Sequence, residues 1–255
     1  MLIRSNWTLT VDRPMTLPRN YGLELVKILH KRINLEMGQE KIPTTTCTGL
    51  LGKCTTSQNF ITFQPGEFYQ LYLTGLEENR SKAIASLDLS PSLEFLGTTF
   101  NAIDRNNRIS SYEALYHARV AAEPEPVREF QLEFLTPTAF SQQGIQLPLP
   151  VPTLMFRSWL ERWNEFAPVY LGGQELVGYF DSAIALKRHK IHSQRYPLNQ
   201  GYVNGFVGKV TLQVLARTDP LLANVAHLLL EYAQFSGTGM KTRLGMGCID
   251  WVQAN

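Results

Sequence analysis

Twice along this chain the same order of patterned segments occurs, and that repetition limits the fold more than any single motif. The first pass opens on a strand, "NWTLTVD", and continues into "NYGLELVKILHKRINLEMG". In that segment Leu25, Leu29 and Ile33, with Val26 beside them, make one apolar stripe at helical spacing. Asn20 fits the N-cap of the helix and Gly38 its stop. "SQNFITFQPGEFYQLYLTGL" reads as two strand-like runs joined by the QPGE turn. "EENRSKAIASL" reads as a short helix, "LEFLGTTFNAID" as the final strand, and "ISSYEALYHARV" as a further short helix.

The second pass repeats the order. "EFQLEFLTP" is a strand, and "PTLMFRSWLERWNEF" is an amphipathic helix carrying Leu154, Phe156, Trp159, Leu160 and Trp163. "ELVGYFDSAIAL" and "GFVGKVTLQVL" read as strands. "DPLLANVAHLLLEYAQF" is a helix with Asp219 as N-cap and Pro220 in its first turn, and "GMGCIDWVQ" is the closing strand. Each half is thus β-α-β-β-α-β, and the fold expected is α+β, two tandem ferredoxin-like (RRM-like) domains. The seam is "RVAAEPEPVREF", where prolines alternate with acids and stop a helix from continuing. It divides the chain into residues 1–122 and 127–255, and 255 residues suffice for two such units.

No run approaches the ~20 apolar residues of a membrane span. The first residues alternate like a strand and do not read as a secretory signal, so a cytoplasmic location without membrane partners is expected. Cys47, Cys54 and Cys248 form no CxxC pair and read as buried or idle thiols, not as a disulfide or zinc framework. No metal site or cofactor is expected. Net charge is only +2, but no acid falls between Asp181 and Asp219, where Lys187, Arg188, Lys190, Arg195, Lys209 and Arg217 all lie. That local excess suits a polyanion, with a solvated face as the alternative.

The second functional signal is "GTGMKTRLGMG". A dinucleotide fingerprint would place its glycines between a strand and a following helix, whereas these follow a helix and precede a strand. A P-loop requires glycine before the lysine, and Met240 stands there. Two readings stay open: a glycine-rich bend linking helix to strand, or a loop whose N–H groups converge on phosphate oxygens with Lys241, Thr242 and Arg243 in support.

On this loop, on "FQLEFLTPTAFSQQG" followed by "LPVPTLMFRSWLERWNEFAP", on "GFVGKVTL" and on "YGLELVKILHKRI…IPTTTCTGLLGK", the chain resembles the RAMP superfamily. It resembles in particular the CRISPR-associated protein six family of repeat-processing endoribonucleases, over most of its length. The resemblance implies metal-independent cleavage of a CRISPR precursor transcript within the repeat, near a hairpin base. The 2′-OH beside the scissile phosphate attacks it, leaving a 2′,3′-cyclic phosphate and a 5′-OH, and the protein keeps the mature guide RNA. The alternative implied is a non-cleaving hairpin-binding subunit of a CRISPR effector complex. The partners implied are CRISPR repeat RNA and other effector-complex subunits.

The resemblance also suggests roles for residues. Family catalytic histidines lie on the first helix or in the loop after it. That selects His30, expected at the edge of the core and facing the groove between domains. The loop "EKIPTTTCTGLLGK" contains no histidine, which departs from members that carry one there. Lys53 is the candidate for phosphorane charge and Tyr21 for positioning the nucleotide, with packing or solvation as the competing role of each. "KRHKIHSQR" reads as a basic loop or hairpin gripping RNA through Lys187, Arg188, His189, Lys190, His192 and Arg195. Lys31, Gly237, Gly239, Lys241, Thr242, Arg243, Gly245 and Gly247 complete the expected RNA contacts. His227 shares a polar helix face with Asn224 and Glu231 and is expected to be solvated, and His117 has no supporting context. Phe156, Trp159, Trp163 and Phe166 fit a core face, as does Phe235, which also lies where a base could stack.

Overall fold

The computed structural model describes residues 1–36 and 40–252. The first half contains β1 (Leu2–Thr10), β2 (Met15–Pro18), α1 (Gly22–Arg32), β3 (Thr45–Cys47), β4 (Cys54–Thr56) and β5 (Phe60–Phe63). It continues through β6 (Tyr69–Gly75), α2 (Glu78–Ser86), β7 (Ser92–Phe95) and β8 (Thr98–Ser110). The second half follows α3 (Tyr112–Tyr116) and a π-helical turn, His117–Ala121. It comprises β9 (Glu129–Thr138), β10 (Phe140–Gln142), β11 (Ile145–Leu147), α4 (Pro152–Phe166) and α5 (Gln174–Ala183). Last come β12 (Ile184–Pro197), β13 (Tyr202–Val214), α6 (Pro220–Ser236) and β14 (Ile249–Val252).

Both halves build the same antiparallel sheet. The first is ordered β3-β6-β1-β8, with β7 added at the edge, and the second β12-β13-β9-β14. In each, the first strand of the repeat lies between its third and fourth, as the ferredoxin-like arrangement requires. Period-2 alternation sets the buried faces: Phe130, Leu132 and Phe134 of β9 turn inward onto α4 and α6, where Trp159, Trp163 and Tyr232 are fully buried. Each such side chain removed from water contributes roughly 1.5–3 kcal/mol. The first half has its own core around Trp7, Leu25, Leu29, Phe63, Tyr69 and Phe100.

Several local expectations change. Gln174–Ala183 is helix α5, not part of a strand, because Leu176, Val177, Phe180 and Ala183 recur at helical spacing against α4. "LEFLGTTFNAID" is a hairpin, β7 turning at Leu96 and Gly97 into β8, both at positive φ. The two runs flanking QPGE do not pair with each other: β5 joins β2 and β4 in a small sheet, while β6 joins β1 and β3. Tyr21, not Asn20, occupies the N-cap of α1, and Asn20 instead donates to Asn199 at 3.3 Å. Gly38 lies outside the described residues. The capping of α6 is as expected, with the Asp219 carboxylate accepting from Leu221 N at 2.8 Å.

The halves dock through the open face of the first sheet. Arg4, almost fully buried, reaches Asp250 at 2.8 Å and donates to the carbonyls of Ile249 and Gln234. Arg108 donates to Gln234 and pairs with Glu231, and the Thr74 hydroxyl donates to the Phe235 carbonyl at 2.7 Å. Phe235 and its neighbours are therefore core and interface, not a base platform. A parallel bridge between Thr48 and Gly245 ties the first sheet to the glycine-rich segment.

Candidate nucleic-acid interface

His30 sits in the last turn of α1 with only 3% of its surface exposed, so it is a core residue and not at the rim of a groove. Its Nε2 lies 3.3 Å from the Thr45 hydroxyl, and Nδ1 meets no partner in hydrogen-bonding geometry among the described residues. Burial pushes its pKa down to about 4, and the nearby charges of Arg243 and Arg80 push the same way. The Glu36 backbone and Glu40 oppose them. At neutral pH the ring is thus uncharged, with one nitrogen able to accept a proton. Beside it Arg243 and Glu40 form an ion pair of 2.8 Å.

The three residues suggested for catalysis are not brought together. Tyr21 starts α1, nine residues before His30, which separates them by roughly 13 Å along the axis. Its buried hydroxyl accepts from Leu50 N at 2.8 Å, its ring packs near Phe63 and Phe95, and burial raises its pKa. Tyr21 holds the 48–51 loop in place. Thr45, the partner of His30, pairs with Gly75 at one end of β6, whereas the Lys53 carbonyl accepts from Tyr69 at the other end. Six residues of strand put these positions on the order of 20 Å apart. Lys53 is 85% exposed and pairs with Glu67 at 3.5 Å.

The glycine-rich segment is packed, not splayed toward solvent. Gly237, Gly239, Gly245 and Gly247 all have positive φ. A Cβ on Gly239, Gly245 or Gly247 would come closer than 3.0 Å to Ala139 O, the Tyr196 hydroxyl or Thr238 O respectively. Gly237 N donates to Ala233 O, Gly239 N to Ser158 Oγ, and Gly247 N to Pro137 O, so these N–H groups point into the protein. Thr242 is 1% exposed, which removes its hydroxyl from any surface contact. Lys241 alone in this segment is broadly exposed.

The basic segment is the opposite case. It forms most of β12 and pairs with β13 in a long hairpin whose outer strand is largely exposed. Arg188, His189, Lys190 and His192 are exposed there. Lys187 pairs with Glu129, and Arg195 lies 4.0 Å over the Tyr202 ring. Lys31 is also exposed, one residue beyond His30.

Between the lobes runs a cleft. Arg19 and the 49–51 loop from one side face Leu135–Pro137, Arg195 and Gly245 from the other, around a cavity of about 160 Å³. Beyond the glycine segment, Lys41, Arg162, Lys241 and Arg243 line a depression of about 530 Å³. Arg162 is buried without a carboxylate partner among the described residues and donates to the Ser158 and Gly239 carbonyls. Arg19, Lys41 and Arg162 were absent from the sequence expectations. Arg19 and Lys41 stand beside motif residues without fitting a motif themselves, and the placement of Arg162 depends on a carbonyl 77 residues away. Among the described residues no group of three or more His, Cys, Asp or Glu side chains gathers as for a metal ion, and no helix is long and apolar enough to cross a membrane. His227 is a further correction: it is buried between Phe130 and Trp251, and burial lowers its pKa to about 4.

Two ferredoxin-like lobes enclosing a cation-lined cleft are the arrangement expected of the RAMP superfamily. The sequence model described as CRISPR-associated endoribonuclease Cas6 matches residues 132–249. A CRISPR-associated endoribonuclease Cas6 of Mycobacterium tuberculosis is 31% identical over 170 residues, 67% of this chain and 48% of that protein. One of Streptococcus thermophilus is 29% identical over 47% of this chain and 49% of that protein. The matched stretch thus spans about half the length of these relatives. Among solved structures, a Cas6 product complex superposes with a TM-score of 0.73 at 22% identity, covering 99% of this chain and 100% of that one. A Thermus thermophilus Cas6 gives 0.71 at 20%, covering 99% and 98%. A Cas6-related protein of Pyrococcus furiosus gives 0.65 at 16%, covering both chains fully. The chain belongs to the Cas6 family.

Proposed function

We propose that the protein is an endoribonuclease that processes CRISPR precursor transcripts, cutting within the repeat near a hairpin base and holding the product. The observation that carries the reading is the pairing of an exposed cationic hairpin with a cation-lined cleft in a member of this family. The hairpin grips an A-form stem by shape and backbone charge, and the cleft takes the adjoining single strand. The names of the relatives, and the product complex among the structural neighbours, support RNA cleavage as the activity.

Cleavage proceeds without metal by attack of the 2′-OH on the adjacent phosphorus. The P–O5′ bond breaks, giving a 2′,3′-cyclic phosphate and a 5′-OH. His30, neutral at pH 7, handles a proton, and Arg243 beside it offsets phosphorane charge. Because His30 is buried, the side chains that cover it must move before RNA reaches the ring. This same burial, with Tyr21 and Lys53 engaged elsewhere, favours a second reading: a hairpin-binding subunit of an effector complex that does not cut.

One assay separates the two. Repeat RNA is incubated with the protein in EDTA, beside RNA carrying 2′-deoxy at the cut site. The nuclease reading expects cleavage of the first only, lost in His30→Ala with binding retained. Undiminished cleavage by His30→Ala overturns the site, and binding without cleavage selects the second reading.

A further inference from the structure

At the mouth of the inter-lobe cleft lies an open depression of about 570 Å³ bounded by Arg19, Asn20, Gln58, Asn59, Phe60 and Arg195, with prolines and Leu198 completing it. That volume falls within the range of small-molecule sites. Among the described residues no carboxylate lines it. Its aromatic wall is the ring of Phe60, at the start of β5 and half exposed, although the core of its lobe lies close by and Phe63 on the same strand is fully buried.

The tip that carries Phe60 is firmly built. Ser57 N donates to Phe60 O at 2.9 Å and Phe60 N to Ser57 Oγ at 3.2 Å. Arg19 N donates to Asn59 O at 2.9 Å, fastening the tip to the segment ahead of α1. Yet the side-chain amides of Gln58 and Asn59 make no hydrogen bond among the described residues. Across the opening, Arg195 is steadied over Tyr202. An ordered aromatic face, two unengaged carboxamides and two guanidiniums from opposite lobes meet in one place.

Each part fits one chemical class. A carboxamide pairs with the donor and acceptor edge of a base, an exposed ring stacks on its face, and guanidiniums take phosphates. A phosphate alone would leave Phe60 unused. An acidic peptide would leave the amides unused. We propose that this depression is a single-nucleotide subsite: one unpaired base of the bound RNA stacks on Phe60 and is read by Gln58 and Asn59, with Arg19 and Arg195 on the flanking phosphates. The subsite rests on the RNA-processing reading above and adds to it a source of base selectivity outside the stem.

The test scans 2-aminopurine through the unpaired nucleotides flanking the hairpin of a CRISPR repeat RNA, bound to the full chain. One position is expected to lose fluorescence on binding, and Phe60→Ala restores it and weakens affinity roughly 5- to 100-fold. Phe60→Tyr keeps both the quench and the affinity. RNA abasic at that position binds the unaltered protein as weakly as intact RNA binds Phe60→Ala, and the two losses do not add. Gln58→Ala with Asn59→Ala flattens the base preference there while leaving the salt dependence unchanged. RNA binding with no position sensitive to Phe60, as a protein-docking role for the ring would give, overturns the subsite alone. Failure to bind RNA at all overturns the functional reading and the subsite with it.

Discussion

The glycine-rich segment and the β12–β13 hairpin were both expected to contact RNA, yet folding separates them. The hairpin keeps its cations on an outer strand in water. The segment turns most of its N–H groups, Thr242 and three of its four glycines into the protein. Glycine there answers a packing demand: Ala139 between β9 and β10, Tyr196 and the segment's own return pass too close for a Cβ. A glycine-rich loop beside basic residues is thus no measure of how much backbone faces a ligand. What it guarantees is close approach, and here the approach is to the protein itself.

The sharpest way to break that comparison is to add one methyl group in each place. Gly247→Ala places a Cβ against Thr238 O at φ 75°. Positive φ and overpacking together cost about 2–5 kcal/mol. For a chain of this size the thermal midpoint should fall by on the order of 10 °C. Gly201, in the hairpin turn, also has positive φ, but nothing lies within 4 Å of its Cβ position. Gly201→Ala should cost only about 1 kcal/mol. Equal losses in a calorimetric scan would show that the segment is not packed as described.

A second contrast concerns charge. Arg188→Ala and Lys190→Ala remove exposed cations with no ion-pair partner among the described residues. Each should flatten the log–log salt dependence of RNA affinity by about one. Lys187→Ala should do less, since Lys187 is engaged with Glu129 and Gln213. Titrations at several salt concentrations that show Lys187→Ala as the largest effect would place the RNA elsewhere on the hairpin.

Much of this was legible in the sequence because it depends on local pattern. Apolar stripes and the Asp219–Pro220 cap each act over a few residues, and most of the helices follow from them. The errors came from partners distant along the chain. Gln174–Ala183 passes for a strand until α4 supplies a face for Leu176 and Phe180. His227 looks polar until Phe130 and Trp251 close over it. Tyr21 looks available until the Leu50 amide reaches its hydroxyl. The site suffered most, since Arg243 of the second lobe comes beside His30 and Glu40 of the first only when the lobes dock, and no spacing in the sequence brings them together.

The smallest expected effect tests whether the packed segment acts on chemistry at all. Burial is the largest cause of the low His30 pKa and Arg243 the next, with Glu40 opposing both. Arg243→Gln removes a repelling charge and releases the Glu40 carboxylate, so both consequences raise the His30 pKa above about 4. The ring remains buried, so most of the depression stays. Linkage fixes the sign for stability. A histidine whose folded pKa lies below its unfolded value near 6.5 gives stability that is complete above 6.5 and is lost as pH falls toward 4. His30 and His227 both contribute to that loss, and Arg243→Gln should slightly shrink the share of His30 alone. Imidazole resonances followed by NMR between pH 3.5 and 7.5 would show the shift. A His30 pKa unmoved by Arg243→Gln would mean that the segment touches the catalytic candidate only through packing, leaving the hairpin as the region that brings charge to the RNA.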